Sequence, residues 1–270
     1  MRAVMASALS VGVVLGGVAL VHAQRGTGQP VAARPLPKAA APIDLTGYWV
    51  SVVTQDWRWR MVPPAKGDYQ FIPMNVEAKK VADAWDPAKD EAAGDQCKSY
   101  GAPALMSVPG RVHITWQDDS TLKVETDAGM QTRVLHFGDW KAPRGGPPTW
   151  QGDSVAEWQT PRPNAPLFLR PVSRSAGGGP PPAPTGGSLK VVTTHLRQGY
   201  LRKNGVPYST STVLTEYWDL FTRQNGDQWV AITTQIEDPV YLREPRLIAL
   251  QFKKEPSGAK WDPTPCSARW

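Results

Sequence analysis

The sequence predicts a mainly β chain, folded as a single antiparallel β-barrel or a strongly curved meander sheet, with one short helix and loops rich in Pro and Gly. Three observations predict it. Most segments between turn residues alternate apolar and polar positions with period two, as half-buried strands do. Only one stretch repeats its apolar residues at helical spacing, so the strand-helix alternation of a doubly wound sheet is missing. About eight strands in one chain expose edges that closure removes most simply.

The elements follow in order. Tyr48 to Val53 is the first strand, entered through Asp44, Leu45, Thr46 and Gly47. Trp57 and Trp59 alternate with Arg58 and Arg60, which gives an extended piece one aromatic and one cationic face. Asn75 caps a helix in which Ala78, Val81, Ala82 and Trp85 share a face, and Asp86 with Pro87 ends it. In Val112 to Gln117 one face carries Val112, Ile114 and Trp116, the other His113, Thr115 and Gln117. Asp118, Asp119 and Ser120 turn the chain into Leu122, Val124 and Thr126. Ala128 and Gly129 then turn it into Thr132 to Phe137, where Arg133, Leu135 and Phe137 share a face. These three strands make a meander. Ser154 to Gln159, Leu189 to Leu196, Val213 to Phe221, Trp229 to Ile236 and Leu247 to Phe252 complete the set. Asn225 and Gly226 suit a tight hairpin between two of them.

Composition divides the chain. Arg2 followed by an uncharged apolar run to Val21, then His22 and Ala23, reads as a signal peptide over residues 1–23, an uncleaved anchor being the alternative. Its removal takes one positive charge, from +6 to +5. Residues 24–42 read as a flexible Pro/Ala-rich tether and 43–270 as one domain, interrupted by Pro/Gly-rich breaks over 141–148 and 161–187, the second expected to be disordered. Lys and Arg are scattered, which excludes a nucleic-acid footprint and leaves weak contact with an anionic envelope surface as a secondary reading. No segment after the signal peptide is apolar enough to span a bilayer. Cys97 and Cys266, the only cysteines, are most simply one disulfide in an oxidising compartment.

The Gly47-x-Trp49 pair resembles the first strand of lipocalins and their relatives. That resemblance implies a Trp plugging one barrel end against an arginine from a late strand, here Arg246 or Arg202. Asp44 to Trp49, Cys97, Gly101, Pro103 and Met106, then Trp150, Gly152, Ser154, Glu157 and Trp158, and later Glu237, Asp238, Pro239 and Tyr241 together resemble an uncharacterised family of exported bacterial proteins. Members of that family often place His, Ser and Asp near the positions where this chain has Tyr208, Ser209 and Thr210.

Candidate functional residues come from phase along the strands. His195, in phase with Leu189, Val191 and Thr193, is expected inside the barrel as a ligand-binding or proton-moving group. Glu216, in phase with Leu214, Trp218 and Leu220, is expected inside as well, where a buried carboxylate needs a partner such as Arg133. Trp57 and Trp59 are expected at a rim. The leading expectation is a secreted or periplasmic barrel that binds a small apolar or aromatic molecule through Arg133, His195, Glu216, Trp218, Trp57 and Trp59, with Gly47 and Trp49 structural. An enzyme acting on a small molecule or carbohydrate through Glu216 and Glu157 is the first alternative, an envelope-interaction module the second. His113 and His136 fall short of the ligands a metal needs, so no metal is expected. Without a Gly-rich phosphate loop, a Gly-x-Ser-x-Gly elbow or a His-Glu-x-x-His motif, no cofactor is expected either.

Overall fold

A closed barrel is the centre of the computed structural model, which describes residues 35–142, 145–160 and 186–269. The expected signal peptide and nearly all of the expected loop over 161–187 lie outside the described residues. In chain order the strands are β1 (Gly47–Val52), β2 (Arg111–Asp118), β3 (Thr121–Thr126), β4 (Ala128–Gly129), β5 (Thr132–Phe137), β6 (Asp153–Gln159), β7 (Ser188–Thr194), β8 (Gly199–Tyr200), β9 (Pro207–Tyr208), β10 (Val213–Thr222), β11 (Gln228–Glu237), β12 (Arg246–Glu255) and β13 (Thr264–Pro265). Among the described residues, nine of them close in the order β1-β12-β11-β10-β7-β6-β5-β3-β2.

Nine strands cannot close with every neighbour antiparallel, because direction would have to alternate around an odd ring. One pair must run the same way. That pair is β5 and β6, joined at Leu135↔Ser154, His136↔Val155 and Phe137↔Ala156, which corrects the wholly antiparallel expectation at one seam. A parallel pair needs a crossover. Residues 138–142 and 145–152, which include the described part of the Pro/Gly-rich break, belong to that crossover.

The period-two pattern decides what faces inward. On β12, Arg246, Ile248, Leu250 and Phe252 are buried while Leu247 and Ala249 face out. Trp49, Ile114, Val124, Leu135, Leu189, Val191, Trp218, Ile232 and Phe252 meet in the interior. Each large apolar side chain so buried contributes roughly 1.5–3 kcal/mol before conformational entropy is subtracted.

Strand directions place 53–110, 127–131, 195–212 and 238–245 at one end of the barrel and 35–46, 119–120 and 223–227 at the other. The first end is a thick cap. It holds α1 (Trp57–Met61), α2 (Val76–Ala84), α3 (Pro87–Ala92), a 3-10 turn at Lys98–Tyr100 and α4 (Ala102–Leu105). One helix was expected there. Asn75 does cap α2, accepting from the Ala78 amide at 2.9 Å. Asp86, expected only to end that helix, caps α3 through the Ala88 amide, with Pro87 pre-set for its first turn. The piece at Trp57 to Arg60, expected to be extended, is the helix α1, because Asp56 at φ 53° turns the chain into a helical turn that buries Arg60.

At the other end, Lys38 N–H donates to the Asp119 carbonyl at 3.0 Å and Trp158 Nε1 to the Pro37 carbonyl at 2.8 Å. The later part of the expected tether therefore lies against the barrel. Ile43, Trp116, Trp158 and Leu220 pack under the core here. The Asp44–Trp49 motif builds the entry to β1. Asp44 Oδ1 accepts from the Thr46 amide and hydroxyl, Leu45 is buried, and Trp49 Nε1 donates to the Leu45 carbonyl at 2.8 Å. Gly47 sits at φ 111°, where a side chain would be strained. Over Trp49 lies the Lys254 ammonium, at 5.2 Å. Arg246 and Arg202, the arginines expected beside Trp49, line the cleft in the cap instead, Arg246 at the other end of β12 from Lys254 and Arg202 between β8 and β9.

Cys97 and Cys266 form a disulfide across 169 residues. The chain leaves β12, passes Trp261 against Tyr48 and His113, and pairs β13 with β4 before reaching the bond. The carboxy-terminal segment is thus fastened to the cap.

Candidate functional site

Inside the barrel, the sequence-predicted pair is real. Arg133 Nη1 and Nη2 donate to Glu216 Oε1 and Oε2 at 3.1 and 2.6 Å, and both side chains are fully buried. Arg133 Nη2 also reaches Thr193 Oγ1 at 3.3 Å, which shares a 2.7 Å hydrogen bond with Ser154 Oγ. Adjacent strands β5, β6, β7 and β10 supply these groups at inward positions. Around them, among the described residues, apolar side chains from all nine barrel strands pack the interior. A void of about 10 Å³ between Trp49, Met106, Trp218 and Phe252 holds one water at most. Trp218, expected to line a pocket, is core.

Other expected site residues lie elsewhere. His195 is outside the lumen, because β7 ends at Thr194 and His195 at φ 56° turns out of phase to the rim, where Nδ1 meets Asp153 Oδ2 at 2.8 Å. Glu157 faces outward from β6 and binds Lys190 at 3.0 Å, the Lys190 bond holding its carboxyl below the usual range. Glu216 and Glu157 therefore do not converge. His113 stacks on Tyr48 and His136 on Trp140, with β3 between their strands. Among the described residues no group of three or more His, Cys, Asp or Glu could hold a metal. Tyr208 is buried, and Ser209 is tied to Asp238 through its amide at 2.5 Å and its hydroxyl at 3.0 Å. Trp57 is exposed, and Trp59 packs edge-on against Phe71 at 5.3 Å.

Trp59 belongs to a cleft in the cap. Asp56, Trp59 and Arg60 come from the turn into α1, Ser99 and Ala104 from the turn and helix before β2, Leu201, Arg202 and Lys203 from the β8–β9 turn, Arg246 and Ile248 from the start of β12. The turn is shaped by Gly205, at φ 82°, where a Cβ would stand 2.2 Å from Trp85 Cβ. The cleft measures about 40 Å³, room for roughly three waters. Wider hollows beside Lys38 to Asp44 and at Thr222 to Asn225 are open surface without a buried charge.

Arg60, Arg202, Lys203 and Arg246 are each more than nine-tenths buried. Asp56 is the acid lining the cleft with them: its Oδ2 accepts from Arg246 Nη2 at 3.3 Å and lies 3.8 Å from Arg202 Nη2. Backbone carbonyls hold the rest in place. Arg60 donates to Ser107 at 2.8 Å and Gln55 at 3.4 Å, and Arg202 to Gln70 at 2.9 Å. The Arg202 guanidinium also covers the Trp59 ring at 4.9 Å. Lys203 Nζ donates to the Tyr100 hydroxyl at 2.6 Å.

No protein-family model, curated protein or solved structure matches this chain. The site must therefore be judged by its chemistry. Burial pulls Arg60 down to about 10 against the pull of Asp56. Burial, and the charge of Arg246 beside it, bring Arg202 to about 10, with Asp56 and Asp68 opposing. Burial lowers Arg246 and takes Lys203 to about 8. Four cations and one carboxylate line the cleft, which disfavours its own excess positive charge.

Sequence reasoning singled out Arg202 and Arg246 only as partners for Trp49, and Arg60 only as half of an alternating pair. No spacing connects them, because 60, 202 and 246 meet through three separate connections at one barrel end. The Trp-Arg-Trp-Arg run was the single local signal.

Proposed function

We propose that this chain is an exported small-molecule-binding β-barrel protein whose ligand sits in the cap cleft, with the barrel as scaffold. The observation that carries this reading is the contrast between a filled lumen and an open cleft walled by buried cations. Binding sites typically combine apolar lining with a few placed polar groups, and Val108, Pro109, Leu201 and Ile248 provide the apolar part here. The apolar or aromatic portion of a ligand would meet those residues. Export is supported by the Cys97–Cys266 bond, and among the described residues no helix is long and apolar enough to cross a membrane.

Native mass spectrometry of the protein purified from its own host, compared with a Val108→Trp variant that fills the cleft, tests the reading. A retained small molecule lost in the variant supports it. A ligand retained equally by both sinks it.

Contact with an envelope surface is a second reading, favoured by the exposed Trp57 and Met61 of α1 and Val62 and Phe71 of the stretch that follows it. Co-sedimentation with anionic vesicles that disappears in Trp57→Ser, Phe71→Ser would support that role.

A further inference from the structure

The cleft that the binding reading relies on has one property that narrows the ligand. Four residues that line it each carry a buried nitrogen with no hydrogen-bond partner among the described residues: Trp59 Nε1, Arg60 Nη2, Arg202 Nη2 and Arg246 Nη1. All four are N–H donors. Guanidinium and indole nitrogens carry no acceptor, so a neutral donor-acceptor molecule such as an alcohol or amide would satisfy them less fully than an acceptor-only group. Leaving buried donors unmade costs more than an average hydrogen bond gains, and a site that leaves four of them is shaped for something else.

From these donors we infer that the cleft is an oxyanion site, which holds the carboxylate, phosphate or sulfate group of a small molecule between Arg60, Arg202, Arg246 and Trp59. Charge agrees with hydrogen bonding. Three guanidinium groups line the cleft with one carboxylate, Asp56, whose Oδ2 accepts from Arg246 Nη2 at 3.3 Å and lies 3.8 Å from Arg202 Nη2, beyond hydrogen-bond reach. Asp68, the other nearby acid, is paired with Arg58 at 3.4 Å through Oδ2, keeps a buried Oδ1 without a hydrogen-bond partner and lies outside the cleft lining. The excess cations need an anion, and planar forks suit the paired oxygens of a carboxylate or phosphate. Size agrees as well, since a space of about 40 Å³ admits a compact headgroup and leaves the remainder of a ligand to the apolar lining and the mouth. The guanidinium groups are held for the purpose. Arg60 is anchored on the Ser107 carbonyl, and Arg202 on the Gln70 carbonyl and the Trp59 face, so little side-chain entropy remains to be lost on binding.

This inference rests on the cap cleft being the binding site, and the experiment separates the two. Isothermal titration at constant ionic strength uses inorganic phosphate, phenyl phosphate, benzoate and, as the neutral control, benzyl alcohol. Saturable binding of at least one of the three anions is expected, with benzyl alcohol binding more weakly. Phenyl phosphate or benzoate binding above inorganic phosphate assigns an organic acid as the ligand, and the reverse order assigns the free inorganic ion; both support an oxyanion site. Arg246→Gln should weaken the anion about tenfold, the loss of one charge-assisted hydrogen bond. Because that variant alters a buried contact to Asp56, Trp59→Phe supplies a second one that deletes an N–H donor and keeps an aromatic ring. It should weaken the anion several-fold with benzyl alcohol unchanged, and the Trp59 indole N–H resonance should move on titration of the parent. No saturable anion binding, or anion binding indifferent to both variants, overturns the oxyanion site. A neutral ligand found in the cleft together with that result would leave the binding reading standing.

Discussion

Replacing Glu216 by Leu should be strongly destabilising, and the reason lies in what it leaves behind. Arg133 is fully buried, and its guanidinium donates to both Glu216 oxygens. Without the carboxylate, a cation remains in a filled apolar interior with only Thr193 Oγ1 as partner. Removing one member of such a pair typically costs about 3–5 kcal/mol, whereas replacing both by apolar residues of similar volume is close to neutral. At roughly 2–4 °C per kcal/mol for a chain of this size, Glu216→Leu should lower Tm by roughly 6–20 °C. The double variant Arg133→Met, Glu216→Leu should recover most of that loss. Thermal and guanidinium unfolding followed by circular dichroism, with the disulfide intact, measures the parent, the two single variants Glu216→Leu and Arg133→Met, and the double variant. A single variant within about 1 kcal/mol of the parent, or losses that simply add in the double variant, would refute the ion-pair reasoning. Phosphate or benzoate binding in the cap should survive in the double variant, because the pair stabilises the scaffold and lines no cleft.

Other consequences are as direct. Asp238 accepts from the Ser209 amide and hydroxyl, the Thr212 hydroxyl and the Val240 and Tyr241 amides, all within 3.0 Å, so Asp238→Ala should destabilise by about 3 kcal/mol or more in denaturant unfolding. Reducing the Cys97–Cys266 bond should lower stability by up to about 5 kcal/mol and open residues 256–269 to limited proteolysis. Glu157→Gln, which breaks only a surface pair with Lys190, should change stability by less than about 1 kcal/mol. Lys203 has a folded value of about 8 against an ordinary 10.5, so the unfolded chain keeps a proton that the folded one has released. Stability should therefore rise from pH about 8 toward 10, above which the ionisation of unfolded tyrosines reverses the trend, and Lys203→Met should flatten the rise.

Much of the fold was legible because period two is a local property. Leu122, Val124, Leu214 and Trp218 declared their faces within their own strands, and Glu216 was forced inward by the same phase. The demand for a partner then pointed to Arg133. Phase failed at His195, where the strand ended two residues earlier than the pattern suggested, and at Trp57 to Arg60, where one helical turn and a short alternation look alike over so few residues. Asp44 to Trp49 drew attention as a motif and is a structural entry to the barrel: a side-chain turn, a glycine at positive φ and a buried indole.

Chain periodicity, the two cysteines and the turn residues determined that this protein is a barrel tied at its end, because each acts over a few residues or leaves no alternative partner. Tertiary structure alone decided that the ring has nine strands with one parallel seam, since parity belongs to the closed ring and to no strand within it. It also decided that Arg60, Arg202 and Arg246 surround one cleft. Charges far apart in the chain meet only because strand directions deliver their connections to the same end.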